Sequence, residues 1–326
     1  MTIGRNVAVT DLLIFAVYLF LAALLLYLIS RPAFVLADES KLHPRLHWLY
    51  SSSLPYFLLQ FLFGSLLSAL FILYFKSASH LPAIVVSLFL GILLVANEFL
   101  ESQYKRFTLS WALLGLCAML LFNFALPFLL GSVHAIWFYL STMLGAGIVV
   151  FLYQKTPQHL GSIVPVWLIA LALMLAYAVD MIPPVPLVKR DIAIVYDIKK
   201  VAGHYQLLQQ ASPWWVFWRK TSEDLKVASG QRVYCFSSIF APAGLTTKLY
   251  HHWQLHTKNG WATQSIAEFD LNGGRQNGYR GYTYKSNISA GQWRVRIETE
   301  TNKTIAIQYF TVEAETADSK KIVQLY

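Results

Sequence analysis

Residues 181–186 read Met181-Ile182-Pro183-Pro184-Val185-Pro186, and the chain changes character across them. Three prolines in four positions end a helix, because each ring removes an N–H and crowds the preceding turn. They also stiffen the exit. Before this point the chain is a series of long apolar stretches; after it, short alternating runs are broken by turn residues. Of the 326 residues, 56% are hydrophobic and only 13% are charged, against about 25% charged in ordinary soluble chains. The deficit is local. Residues 1–186 hold 8 Lys and Arg against 6 Asp and Glu, a net of +2. Residues 187–326 hold 18 against 11, a net of +7.

A helix crossing a bilayer needs about 20 apolar residues, because no water is present to satisfy an open backbone. Six segments meet this, roughly 11–29, 54–75, 81–100, 109–130, 133–152 and 163–182. They predict an α-helical membrane bundle over 1–186. Asn123 and Pro127 mark a kink in the fourth. The first apolar run is too long for a signal peptide and follows a single basic residue, Arg5, so it reads as a retained helix. Loops after the first, third and fifth segments carry Arg31, Lys41, Arg45, Lys105, Arg106 and Lys155; the opposite side carries Arg5 and Lys76. The excess of basic residues marks the cytoplasmic side. This predicts a multi-pass protein of a bacterial inner membrane with both termini in the periplasm.

Ionisable residues within membrane segments are functional candidates. Here they are Glu98, Glu101, His134 and Asp180, all near predicted helix ends, where capping or interfacial anchoring competes with a site role. No helix centre carries a carboxylate pair or a basic ladder, which argues against an ion pump or a proton-coupled transporter. The loop Asp38-Glu39-Ser-Lys-Leu-His43-Pro44-Arg45-Leu-His47 offers metal-ligand types. Pro44 breaks the helix that would pair the two histidines, so an amphipathic interfacial segment is expected and no metal. Gly145-Ala146-Gly147 and Ser65/Ala69 suit close helix contacts. Cys117 and Cys235 read as small buried hydrophobes.

Residues 187–224 read as a connector. Between 191 and 210 the pattern allows helix or strand. Trp214, Trp215, Phe217 and Trp218, followed by Arg219 and Lys220, match an interfacial belt that docks on the membrane surface, with a soluble hydrophobic strand as the rival. From 225 to 315 period-2 runs predict strands at 231–239, 246–257, 262–271, 278–285, 291–300 and 304–312, followed by a tail, 316–326. Asn272-Gly273-Gly274 reads as a hairpin turn. Short strands at this spacing suggest a small all-β, immunoglobulin-like sandwich.

Alternation sorts the side chains by face. In 247–256, Leu249, His251, Trp253 and Leu255 share one face and Tyr250, His252 and His256 the other. His252 and His256 lie about 13 Å apart on a strand, too far for one zinc ion; His251 beside Trp253 reads as a core histidine. In 279–285, Arg280, Tyr282 and Tyr284 share one face. Arg294, Arg296, Glu298 and Glu300 read as a solvated charged face. Tyrosine faces and Arg forks suit a glycan or an anion, and the predicted ligand-binding set is Arg275, Arg280, Tyr282, Tyr284 and Lys285, with His252 behind them.

Val233-Tyr-Cys-Phe236, the His251-His252-Trp253 strand, Gly278-Tyr-Arg-Gly-Tyr-Thr-Tyr-Lys285, Gly291-Gln-Trp-Arg-Val-Arg-Ile-Glu-Thr299 and Phe310-Thr-Val312 together resemble the domain-of-unknown-function family 2914, over about 225–315. Thr301-Asn302-Lys303 departs from the family's usual Gly before the last strand. The resemblance implies a bacterial envelope protein and carries no known activity or catalytic residues. Nucleotide, hydrolase and zinc-protease motifs are absent. The expected function is therefore to anchor a periplasmic β-sandwich that binds an envelope glycan, lipid headgroup or protein partner, with membrane lipids around the helices, no nucleic acid, no cofactor and no catalytic residue. One alternative is a membrane enzyme or transporter of lipid-linked intermediates with the β domain as lid; another is a structural subunit of a membrane complex. No oligomeric state follows from the sequence.

Overall fold

The computed structural model describes residues 8–31, 54–100, 104, 106–156, 159–201, 203–211, 223–228, 230–275, 278–314 and 321–326. The chain divides into two compact units, Met1–Pro186 and Leu187–Tyr326.

Among the described residues the first unit has six helices: α1 (Val9–Ile29), α2 (Leu54–Ser77), α3 (Leu81–Phe99), α4 (Thr108–Leu130), α5 (Ala135–Gln154) and α6 (Val164–Ala178). The first five are long and apolar enough, by length and composition, to cross a membrane. The sixth has 15 residues, about 22 Å of helix. It ends earlier than its apolar run because Val179 and Asp180 leave the helix, Asp180 at φ 60°. Each helix is apolar on all sides, and large apolar side chains such as Leu13, Phe20, Ile92 and Val95 stay exposed on its outer faces. A water-facing surface rarely carries so much apolar area.

α4 is the hub, touching α1, α2, α5 and α6. Trp111, Leu114, Cys117, Met119, Leu121 and Phe124 are buried along it, and it runs through Pro127 as one helix. Polar side chains tie its neighbours to it. Asn123 Oδ1 accepts from Ser141 Oγ at 2.7 Å and from Thr142 Oγ1 at 3.1 Å. The Tyr74 hydroxyl donates to the Leu120 carbonyl at 3.1 Å. α5 approaches α4 closely at Gly145, where a Cβ would lie 2.8 Å from the Met119 backbone; Gly147 faces open space.

The second unit contains β1 (Val188–Val195), β2 (Asp197–Val201), β3 (His204–Gln210), β4 (Asp224–Val227), β5 (Val233–Phe240), β6 (Thr246–Thr257), β7 (Gly260–Asn272), β8 (Tyr279–Lys285), β9 (Gly291–Thr299), β10 (Thr304–Ala314) and β11 (Lys321–Leu325). They form sheets of order β1-β5-β8, β4-β10-β9-β6-β7 and β11-β3-β2. The six strands predicted between 231 and 312 are all present, and the first two sheets pack face to face as a β-sandwich. The stretch read as a connector supplies three more strands, and β1 pairs antiparallel with β5. Residues beyond 320 likewise pair, β11 with β3. Ala193 and Val195 of β1, Leu207 of β3 and Phe236 of β5 form a small buried cluster, so the third sheet covers part of the outer face of β1-β5-β8. Asn272-Gly273-Gly274 is not a hairpin. β7 and β8 belong to different sheets, and the segment crosses between them with Gly273 N–H bonded to Leu245 O and Gly274 N–H to Ala241 O. Asn302, at φ 57°, makes the turn before β10.

The sandwich core contains one histidine. His251 is fully buried, its Nδ1 2.9 Å from Thr283 Oγ1 and its Nε2 3.1 Å from Ser237 Oγ. Trp253 Nε1 donates to the same Thr283 oxygen at 3.2 Å, and His251 meets the Phe269 ring edge-on at 4.9 Å. Burial, then the neighbouring His252, holds the imidazole down at about 3.

Two outcomes follow. Gly145→Leu is expected to cost about 1–3 kcal/mol by overpacking against α4, while Gly147→Ala changes stability by less than about 0.5 kcal/mol. Thermal melts of the two variants in detergent check this, and equal melting temperatures contradict it. His251 binds its proton far more weakly folded than unfolded (about 6.5). Its contribution is therefore complete above pH about 6.5 and is lost as pH falls toward 3, by up to about 1.4 kcal/mol per pH unit. Near-UV circular dichroism melts from pH 7 to 4 are expected to show this slope, reduced in His251→Gln.

Candidate functional site

β8 is an edge strand, and its outward residues build one surface. Antiparallel register sets Tyr284 opposite Tyr234, Tyr282 opposite Phe236 and Arg280 opposite Ser238. The Tyr234 ring lies 6.2 Å from Tyr282 and 5.8 Å from Tyr284, and the Arg232 guanidinium sits 5.0 Å over Tyr284. Tyr282 and Tyr284 are 48% and 52% exposed. Arg280, predicted as a ligand contact, has a structural bond instead. Its Nη1 donates to the backbone oxygen of Tyr326 at 3.1 Å. Tyr326 pairs with Tyr205 through both backbone groups, so Arg280 ties β8 to the third sheet. Burial, then Asp191, pushes the Tyr326 phenol up to about 12.

The remaining predicted residues are elsewhere. Lys285 points to the other face of β8, with Nζ 3.3 Å from Ser265 Oγ and 5.7 Å from the Trp293 ring. Arg275 lies 5.2 Å over Tyr279, which stacks on Phe269. His252 belongs to the five-stranded sheet, away from this cluster. The structure thus joins Arg280, Tyr282 and Tyr284 with Tyr234 and Arg232, which sequence reasoning missed. Alternation along β5 places Tyr234 on the outward face, but nothing local says that β5 pairs with β8.

The outer face of the five-stranded sheet carries two rows. In the first, His252 Nε2 lies 3.1 Å from Glu298 Oε2, and Arg296 Nε lies 2.6 Å from Glu298 Oε1 and donates to Thr304 Oγ1 at 2.9 Å. Glu298, predicted to be part of a solvated face, is only 5% exposed. β9 lies between β6 and β10, so Glu298 is boxed in by Tyr250 and Thr304 on either side. In the second row, Arg294 Nε donates to Gln254 Oε1 at 2.6 Å, and its guanidinium lies 4.4 Å over the Trp261 ring. Trp261 also meets His256 at 4.9 Å and Tyr309 at 5.7 Å. The alternation of β9 points to Arg294; Trp261 and Tyr309 join it only through strand pairing.

In the helical unit, among the described residues, Glu98 lies far from Asp180. His80 caps the start of α3, with Nε2 2.9 Å from the Asp180 backbone oxygen. Glu98 lies 18 residues further along, about 27 Å away at 1.5 Å per residue. His134 caps the start of α5. Glu98 borders an open cavity of about 480 Å³ between α2 and α3, shared with Gln60, Gly64, Ser68 and Asn97. Gln60 and Asn97 are tied together, each side-chain nitrogen donating to the other's backbone oxygen at 2.9 and 3.2 Å. The Tyr104 hydroxyl donates to Asn97 Oδ1.

Among the described residues no group of three His, Cys, Asp or Glu is placed to hold a metal ion. Trp214, Trp215, Phe217, Trp218, Arg219, Lys220, Glu101 and the Asp38–His47 loop lie outside the described residues.

No curated protein matches the chain. Among solved structures it is similar to an immunoglobulin-like protein from Pseudomonas aeruginosa, at 11% identity, covering 32% of this chain and 96% of that one with a TM-score of 0.21. A β-glucosidase from Listeria innocua matches at 11% identity over 34% of this chain and 16% of its own, with a TM-score of 0.21. An alkylpurine DNA glycosylase from Pseudomonas fluorescens matches at 10% identity over 91% and 97%, with a TM-score of 0.24. Scores this low transfer neither fold nor function. The sequence of the sandwich is more specific: residues 246–312, from the start of β6 into β10, match the family described as "Protein of unknown function (DUF2914)", so the C-terminal β domain carries a domain of that family.

Proposed function

We propose that this is a bacterial inner-membrane protein whose helices anchor a periplasmic β domain, and that this domain binds an anionic envelope component, a glycan or a lipid headgroup. The observation that carries the reading is the outward face of β8. Two half-exposed tyrosines stand beside Arg232, a cation with no ion pair among the described residues. Exposed aromatic faces stack on apolar ligand faces, and an Arg fork grips carboxylate or phosphate. The net +7 of residues 187–326 draws anions toward the domain. In the helical unit Glu98 and the His80–Asp180 pair sit at opposite ends of α3, so no single site joins them.

Full-length protein in neutral detergent would be titrated with isolated cell-wall glycan and with short-chain phosphatidylglycerol. Binding of one of them is expected to weaken as salt rises from about 50 to about 500 mM, as Debye screening requires. It is also expected to fall about tenfold in Arg232→Gln/Tyr284→Ala, about 1.4 kcal/mol. No binding to either, or binding indifferent to salt and to both substitutions, contradicts the reading.

A further inference from the structure

We infer that the outer face of the five-stranded sheet is a separate binding site for an acidic saccharide, built on Trp261, Tyr309 and Arg294. The inference stands apart from the β8 surface, which belongs to the other sheet.

Its starting point is a contrast on one strand. Arg296 has a carboxylate partner, Glu298, at 2.6 Å. Arg294, two residues earlier on the same face, has none among the described residues. Its Nε is held by the neutral Gln254, and its charge rests on the Trp261 ring. A guanidinium oriented by one neutral hydrogen bond and one π face keeps its terminal N–H groups for a ligand, and a carboxylate or phosphate matches that fork.

The aromatic groups around it are fixed. The turn before Trp261 is locked by Thr257 Oγ1, which donates to Gly260 O at 2.8 Å and accepts from Asn259 N–H at 3.3 Å, with Gly260 at φ 100°. Gln254, only 8% exposed, gives Arg294 a rigid support. Tyr309 is 49% exposed and lies 5.7 Å from Trp261. The backbones of β7 and β10 stand three strand spacings, about 14 Å, apart. The Trp261 and Tyr309 rings nevertheless lean together to 5.7 Å over β6 and β9 and form one compact cluster with Arg294. An aromatic cluster flanked by His256, beside a guanidinium with no ion pair among the described residues, suits the apolar ring face and the carboxylate of a uronic-acid residue. A site placed on strands and supported from beneath keeps its geometry without ordering on binding.

The test uses full-length protein in detergent and calorimetric titration with a hexauronate, with maltohexaose as the neutral counterpart. The hexauronate is expected to bind more tightly than maltohexaose. Tyr309→Ala and Trp261→Ala are expected to weaken it about tenfold, and Arg294→Gln to abolish the preference for the acidic sugar, with melting temperature unchanged in Tyr309→Ala. Because Tyr309 is half exposed, that variant keeps the test valid even if Trp261→Ala fails to fold. Arg232→Gln/Tyr284→Ala is expected to leave hexauronate binding intact, which separates this site from the β8 surface. Absence of hexauronate binding, equal affinity for the two sugars, or full affinity in Tyr309→Ala and Arg294→Gln overturns the inference.

Discussion

A histidine sealed between two sheets must find a partner for each ring nitrogen, and His251 of β6 finds both on the opposite sheet, at Ser237 of β5 and Thr283 of β8. Buried polar groups without partners cost about 1–3 kcal/mol each, so a one-residue slip of β6 is disfavoured twice. It would orphan the imidazole, and it would turn Trp253 out of the core. Trp253 shares the Thr283 oxygen, which ties the large core aromatic to the same point.

Fixing that face of β6 fixes its other face. With His251 and Trp253 inward, His252, Gln254 and His256 face outward, and pairing with β9 sets them beside Arg296 and Arg294. The Glu298 row and the Arg294 row both depend on this register. The same polar bridge reaches β8 through Thr283. Its alternate residues, Tyr282 and Tyr284, therefore point away from the sandwich, where Tyr234 and Arg232 meet them. The third sheet limits this surface by covering Phe236 and bonding Arg280, which leaves the two tyrosines as its open part.

The parts legible in the sequence were those with a local physical signature. Apolar runs of about 20 residues marked the helices, and alternation with turn residues marked the six strands from 231 to 312, with 246–257 matched end to end. His251 was legible as a core residue because it alternates with Leu249 and Trp253. Pairing was not legible. Val188–Val195 looked like part of a connector because its partner, β5, lies some forty residues on. Glu298 looked solvated because nothing local shows that β9 is an interior strand. Arg280 and Tyr284 look alike on one strand, yet only the distant Tyr326 distinguishes the bonded residue from the open one. Gly145 was readable as a close contact and Gly147 was not separable from it, since the partner backbone at Met119 is known only from the fold.

The account depends most on which side of the membrane the β domain occupies. Cys117 and Cys235 are both buried, and burial pushes the Cys235 thiol up, out of its reactive range. A cysteine introduced at the exposed Lys258 of the β6–β7 turn would therefore report alone. A membrane-impermeant maleimide applied to cells with a permeabilised outer membrane and an intact inner membrane is predicted to label Lys258→Cys. Labelling only after the inner membrane is broken would place the domain in the cytoplasm and contradict the account.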